Sequence, residues 1–85
     1  MINLTNVKEV KAIQGHIRST FGSPSGEKAM EFLEQACGWY ESIFDPADKD
    51  RILINAGRRE VVATIKTFLN HSPEQIAAMA QQKES

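Results

Sequence analysis

The sequence predicts an all-α domain, a compact bundle of three main helices with a short C-terminal helix. Three observations carry that expectation. Ser23-Pro24, Asp45-Pro46 and Ser72-Pro73 each set a capping side chain before a proline at the first helical position, where the missing N–H does no harm. Between these starts the apolar residues recur at spacings of three and four. No segment alternates convincingly with the two-residue period of a strand. Arg51-Ile52-Leu53-Ile54 comes nearest, but its aspartate-rich flank and the long helical pattern behind it argue against a strand.

The first helix is expected to start at Asn6, with Glu9 closing a capping box three residues on. Val7, Val10, Ile13 and Ile17 make one narrow apolar stripe, and Lys8, Glu9, Lys11, Gln14 and Arg18 mostly lie off it. Gly15 within this helix costs about 1 kcal/mol relative to alanine. The end falls near Thr20-Phe21-Gly22, with Gly22 suited to a left-handed cap.

The second helix, about residues 24–37, reads as the central one. It carries two apolar seams, Met30/Leu33/Cys37 and Phe32/Ala36/Trp39, which predicts packing on two sides. Its remaining edge holds Glu27, Glu31 and Glu34. Gly38 is the natural terminator. The connection that follows, Trp39 to Phe44, is too apolar for a free linker, so Trp39 and Phe44 are expected at least partly buried.

Asp45-Pro46 opens a third helix expected to run to about Asn70, with Ile54, Val61, Val62, Ile65, Phe68 and Leu69 facing the central helix. Gly57 reads as a point of close helix approach. Arg58 projects within the apolar arc, while Arg59 and Lys66 sit beside it. Ser72-Pro73-Glu74-Gln75 starts a short last helix, and residues 81–85 form a polar end expected to fray.

Eighty-five residues make a single domain, 1–85, with a thin core. A net charge of -1 gives no general attraction to nucleic acid or to an anionic membrane. One cysteine excludes an intrachain disulfide, and no Cys/His set has structural-zinc spacing. The longest aliphatic run, Ile52-Leu53-Ile54, is far too short to span a bilayer, and residues 1–6 lack the make-up of a signal peptide. The expectation is a soluble protein used in a cytoplasm.

No catalytic constellation assembles, so no enzyme, cofactor or metal is expected. Glu27, Glu31 and Glu34 lack the Glu-x-x-His pairing of helical diiron sites and read as a solvated acidic face. Cys37 reads as a small core residue, His16 as a surface group, and His71 as a partner of the last carbonyls of the third helix. Arg58 has two readings. It is either an internal cation paired with Glu27, Glu31 or Glu34, or part of a Gly57-Arg58-Arg59 fork aimed at an acidic partner or a phosphate. The second helix, apolar on two sides and acidic on the third, would make a poor recognition helix. Nucleic-acid binding would therefore need the local patch of Arg58, Arg59 and Lys66. The double apolar seam exceeds what a thin monomer covers. A homo-oligomer is expected, or a monomer whose Phe32/Trp39 side awaits a protein partner.

Phe21-Gly22-Ser23-Pro24-Ser25-Gly26, the apolar run ending in Cys37-Gly38, Phe44-Asp45 and Gly57-Arg58-Arg59-Glu60-Val61-Val62 together resemble a family of small tailed-phage proteins typified by one from a Bordetella podophage. The likeness covers about residues 21–69 and leaves the first helix and the chain beyond Asn70 outside it. It implies a non-enzymatic product of a phage structural or packaging gene region. Such a protein would act by protein–protein contacts in virion assembly, genome packaging or ejection, in the host bacterial cytoplasm or within the virion. An inhibitor or regulator of a host protein is the alternative, and a nucleic-acid-binding accessory the weaker one.

Overall fold

The computed structural model describes residues 1–84 and contains four helices: α1 (Val7–Phe21), α2 (Pro24–Ala36), α3 (Lys49–Asn70) and α4 (Pro73–Glu84). There is no strand among the described residues. The starts follow from local capping chemistry. Asn6 Oδ1 accepts from the N–H groups of Lys8 and Glu9 at 3.0 and 3.2 Å. The expected box does not close, because the Glu9 carboxylate reaches back to the Asn3 N–H (3.5 Å). Ser23 Oγ accepts from Gly26 N–H at 3.0 Å, with Pro24 at the first position of α2. At α4 the box is complete: Ser72 Oγ accepts from Gln75 N–H (3.1 Å) and Gln75 Oε1 from Ser72 N–H (2.9 Å).

Helix α3 starts later than expected. Asp48 is its cap, accepting from Asp50 and Arg51 N–H at 2.9 and 3.3 Å. Asp45 instead closes a local turn on the Ala47 N–H at 2.9 Å, so its carboxylate is committed before a helix can begin. Gly38 does terminate α2, at φ +66°. Gly22 is not left-handed. It sits at φ -84°, and Ser23 Oγ donates to the Thr20 carbonyl at 3.0 Å, closing α1 without a reversed cap. Residues 81–84, expected as part of a fraying end, continue α4, and Ser85 lies outside the described residues.

The organising helix is α1, not α2. Both α1 and α3 pack on all three others, α1 the more extensively, whereas α2 and α4 do not touch. Val10, wholly buried, joins Phe68 and Ile76 at the centre of the core, with Ile13 and Ile17 packed against them. Only one seam of α2 is used: Met30 is buried, Leu33 and Cys37 half-buried, but Phe32 is 65% exposed and Ala36 is exposed. Helix α3 is turned relative to the expected arc. Val62 and Phe68 are buried, while Ile54 and Val61 lie in solvent.

Gly26 is buried where α2 crosses the end of α1. A Cβ there would collide with the Thr20 carbonyl oxygen and stand 2.6 Å from Phe21 Cα. Gly57, expected at a close approach, has nothing within 4 Å of its Cβ position, and neither has Gly15. Gly15→Ala is therefore expected to stabilise the protein by about 0.5–1 kcal/mol, the helix-propensity gain without a steric cost. Chemical denaturation measures it, and a loss of stability would contradict the open space.

A side-chain clamp fixes the end of α3. Gln14, 4% exposed, donates from Nε2 to the Phe68 and His71 carbonyls at 2.9 and 2.7 Å. Arg18 donates to the same two oxygens, from Nε at 3.2 Å and Nη2 at 3.1 Å. One of the last carbonyls of α3, that of Phe68, and the carbonyl of the His71 cap that follows are satisfied from α1.

The molecule is a plate measuring 44 × 38 × 20 Å, about two helices thick. Its radius of gyration is 14.6 Å, against roughly 12 Å for a compact domain of this length. Its accessible surface is 6203 Å², against roughly 5,000 Å² for a compact monomer of this mass.

Candidate interaction surface

Four of the residues singled out by the sequence meet at one place. The Arg59 guanidinium carbon lies 5.0 Å from the Trp39 ring centroid and Lys66 Nζ lies 4.6 Å from it. Lys66 also pairs with Glu34 at 3.7 Å, where the Glu34 side chain is only 12% exposed. Arg59 and Lys66 are seven residues apart, two turns along one face of α3, so both reach a tryptophan carried in by the connection after Gly38. The cluster fastens the otherwise long connection of residues 37–48 to the middle of α3. Nearby, Tyr40 Oη donates to the Glu34 carboxylate.

The other candidates lie outside this cluster. Arg58 is exposed and donates to the Ala36 carbonyl rather than to any glutamate. The internal pairing expected for it belongs instead to Lys66 with Glu34. Arg59, expected to be the free member of the pair, is half-buried, and its Nε is buried with no hydrogen-bond partner. The roles of the two arginines are therefore exchanged, Arg59 lying over Trp39 and Arg58 reaching the end of α2 from solvent. Glu27 and Glu31 are solvent-exposed, with Glu31 3.6 Å from Lys28. Phe32 is exposed and Trp39 half-buried. Cys37 is a half-buried free thiol, His16 is exposed, and His71 Nδ1 lies 3.3 Å from the Thr67 carbonyl. Among the described residues no His, Cys, Asp or Glu group is arranged to hold a metal, and no helix is long and apolar enough to cross a membrane.

The exchange of roles gives a direct test. Arg58→Ala is expected to cost under about 1 kcal/mol, as exposed cations do. Arg59→Ala is expected to cost about 1–2 kcal/mol, through lost packing and cation–π contact with Trp39. Chemical denaturation of the two variants checks the order, and the reverse ranking would contradict the placement.

The phenol gives a second test. Its hydrogen bond to Glu34, then the negative charge of Glu34, then slight desolvation and the charge of Glu31 hold Tyr40 above its ordinary value of 10.0. The neutral phenol is the form favoured on folding. Its contribution is therefore present below the ordinary phenol range and lost as pH rises through the raised value. Tyr40 is the sole tyrosine, so ultraviolet titration reads it directly. Glu34→Gln is expected to move the midpoint back down, and an unchanged midpoint would contradict the contact.

The surface also includes residues that sequence reasoning assigned to the core. Ile54 and Val61 are exposed along α3, as is Leu53, which the expected core face did not include, and Phe44 is exposed in the connection rather than partly buried. Adjacent apolar pairs such as Leu53-Ile54 and Val61-Val62 were the available signal, because one helix face cannot bury both members.

The family model for Bbp19-like phage proteins matches residues 17–81. The chain belongs to the Bbp19-like phage protein family. The match takes in the last turn of α1 and most of α4, so these segments of the Bbp19-like protein lie inside the family region, contrary to the narrower 21–69 expected. It contains Gly26, Trp39, Arg58, Arg59 and Lys66, and includes Arg18 of the α3 clamp but not Gln14. No curated protein and no solved structure matches the chain.

Proposed function

We propose that this Bbp19-like protein acts without catalysis, through protein–protein contacts during virion assembly, genome packaging or ejection. One observation carries the reading. The plate leaves about 1,200 Å² more surface than a compact monomer would, and large apolar side chains, including Phe32, Phe44, Leu53, Ile54 and Val61, stand on it. Surface of that kind is what an assembly covers. Membership of a phage protein family supports a reading in which those contacts are made with other phage proteins. On this reading the protein is made in the host bacterial cytoplasm and is either built into the particle or bound to its intermediates.

Mass spectrometry of purified virions and of sedimented assembly intermediates tests the reading. Stoichiometric recovery in either fraction is the expected result. Complete absence from both, with the protein held instead on a host protein in infected cells, would overturn it in favour of a host-directed regulator.

A further inference from the structure

Independently of the contact role proposed above, we infer that residues 39–60 form a latched arm. It unwinds as one unit and bares the Val62 face of α3 while the α1/α4 core stays closed. No residue between 39 and 60 is buried, although the stretch takes in most of the connection and about three turns of α3. The core is built elsewhere, from Val10 on α1, Phe68 near the end of α3 and Ile76 on α4. A segment without buried apolar side chains has little to keep its hydrogen bonds closed. It therefore opens at a fraction of the cost of global unfolding. Gly57 weakens the arm further, being a glycine in a helix interior with nothing within 4 Å of its Cβ position.

What ties the arm together differs from what holds it down. Within it, Asn55 Nδ2 donates to the Ile43 carbonyl at 3.5 Å and the Arg59 guanidinium carbon lies 5.0 Å from the Trp39 ring centroid. Connection and helix are thus one body. Its side-chain holds on the rest of the molecule are polar. Tyr40 donates to the Glu34 carboxylate and Arg58 to the Ala36 carbonyl, but both side chains are exposed, where such bonds contribute little. The third hold is Lys66 Nζ, 4.6 Å from the centroid of the half-buried Trp39 ring. Trp39 is therefore the latch. Arg59, Val62 and Lys66 share one face of α3 at intervals of three and four, and Val62, between the two cations, is wholly buried. Releasing Trp39 from Lys66 opens that face.

Amide hydrogen exchange of the purified full chain tests the inference. Amides 53–60, which α3 hydrogen-bonds internally, are expected to exchange together and on the order of 100-fold faster than amides 62–70. Trp39→Leu and Lys66→Gln should each speed exchange of 53–60 on the order of 10-fold, by loss of the cation–π hold. Gly57→Ala should slow it about 4-fold. Gly15→Ala, which acts on α1 outside the arm, should leave it unchanged. Circular dichroism checks that each variant folds, and Lys66→Gln alone carries the latch test if Trp39→Leu does not. Equal protection of 53–60 and 62–70, with Gly15→Ala slowing both, would overturn the inference, because the arm would then open only by global unfolding. So would protection that rises steadily inward from Lys49 and that neither latch variant changes, which is ordinary fraying of a helix end.

Discussion

Gly26→Ala is expected to cost about 3 kcal/mol or more, a large fraction of the roughly 4–13 kcal/mol available to a domain of this size. The methyl group would enter the Thr20 carbonyl oxygen and press within 2.6 Å of Phe21 Cα. Both obstacles are backbone, so no side chain can rotate away. Relief requires α2 to lift from the end of α1, which opens the contacts of Met30 and breaks the Ser23 cap on Gly26 N–H. Thermal unfolding should shift down by about 15–25 °C. Gly15→Ala, the same chemical change where nothing lies within 4 Å, serves as the control and should move the midpoint slightly upward. A Gly26→Ala variant as stable as the wild type would mean that the two helices stand further apart than the structure places them.

The second large effect is expected at the α3 clamp, and only when both of its members are removed. Gln14 and Arg18 donate to the same pair of carbonyls, Phe68 and His71. Gln14→Leu alone should cost about 1–2 kcal/mol, since Arg18 still serves both oxygens. Arg18→Leu alone should cost less than about 1 kcal/mol, because the buried amide remains. The double variant leaves two carbonyls at the helix end without these donors and should cost about 3–4 kcal/mol, more than the singles added together. A double-mutant cycle by urea denaturation measures the excess. Strict additivity would show that the two side chains do not share the carbonyls.

The starts of α1, α2 and α4 were readable in the sequence because a cap is decided within four residues. Asn6, Ser23 and Ser72 each bond N–H groups two or three positions away, and no distant contact is needed to choose them. The phase of α3 was not readable in the same way. Ile52, Leu53 and Ile54 together span most of the circumference, and which of them is buried depends on where α2 ends and how residues 37–48 return. Arg58 and Arg59 exchanged roles for that reason. The pairing of Arg59 with Lys66 did have a local signal, the seven-residue interval beside a connection carrying the sole tryptophan. Gln14 had one too: at 100° per residue it falls between Val10 and Val7, inside the stripe that Val7, Val10, Ile13 and Ile17 define. A polar residue within an apolar arc on a helix end-on to another helix marks a donor for that neighbour's carbonyls. The organising helix was misjudged because two seams on α2 look like double burial, whereas the chain gives one of them nothing to pack on.

The two-residue joint between α1 and α2 has a mechanical consequence. Gly22 and Ser23 are bonded back to Arg18 and Thr20, and Gly26 seats directly on the backbone of α1. Such an elbow has no torsional slack. A load applied to the outer edge of α2 therefore turns α1 as a lever, and Gln14 and Arg18 on that lever hold the far end of α3. The path from α2 to the end of α3 therefore runs through one backbone seat and one pair of side-chain clamps.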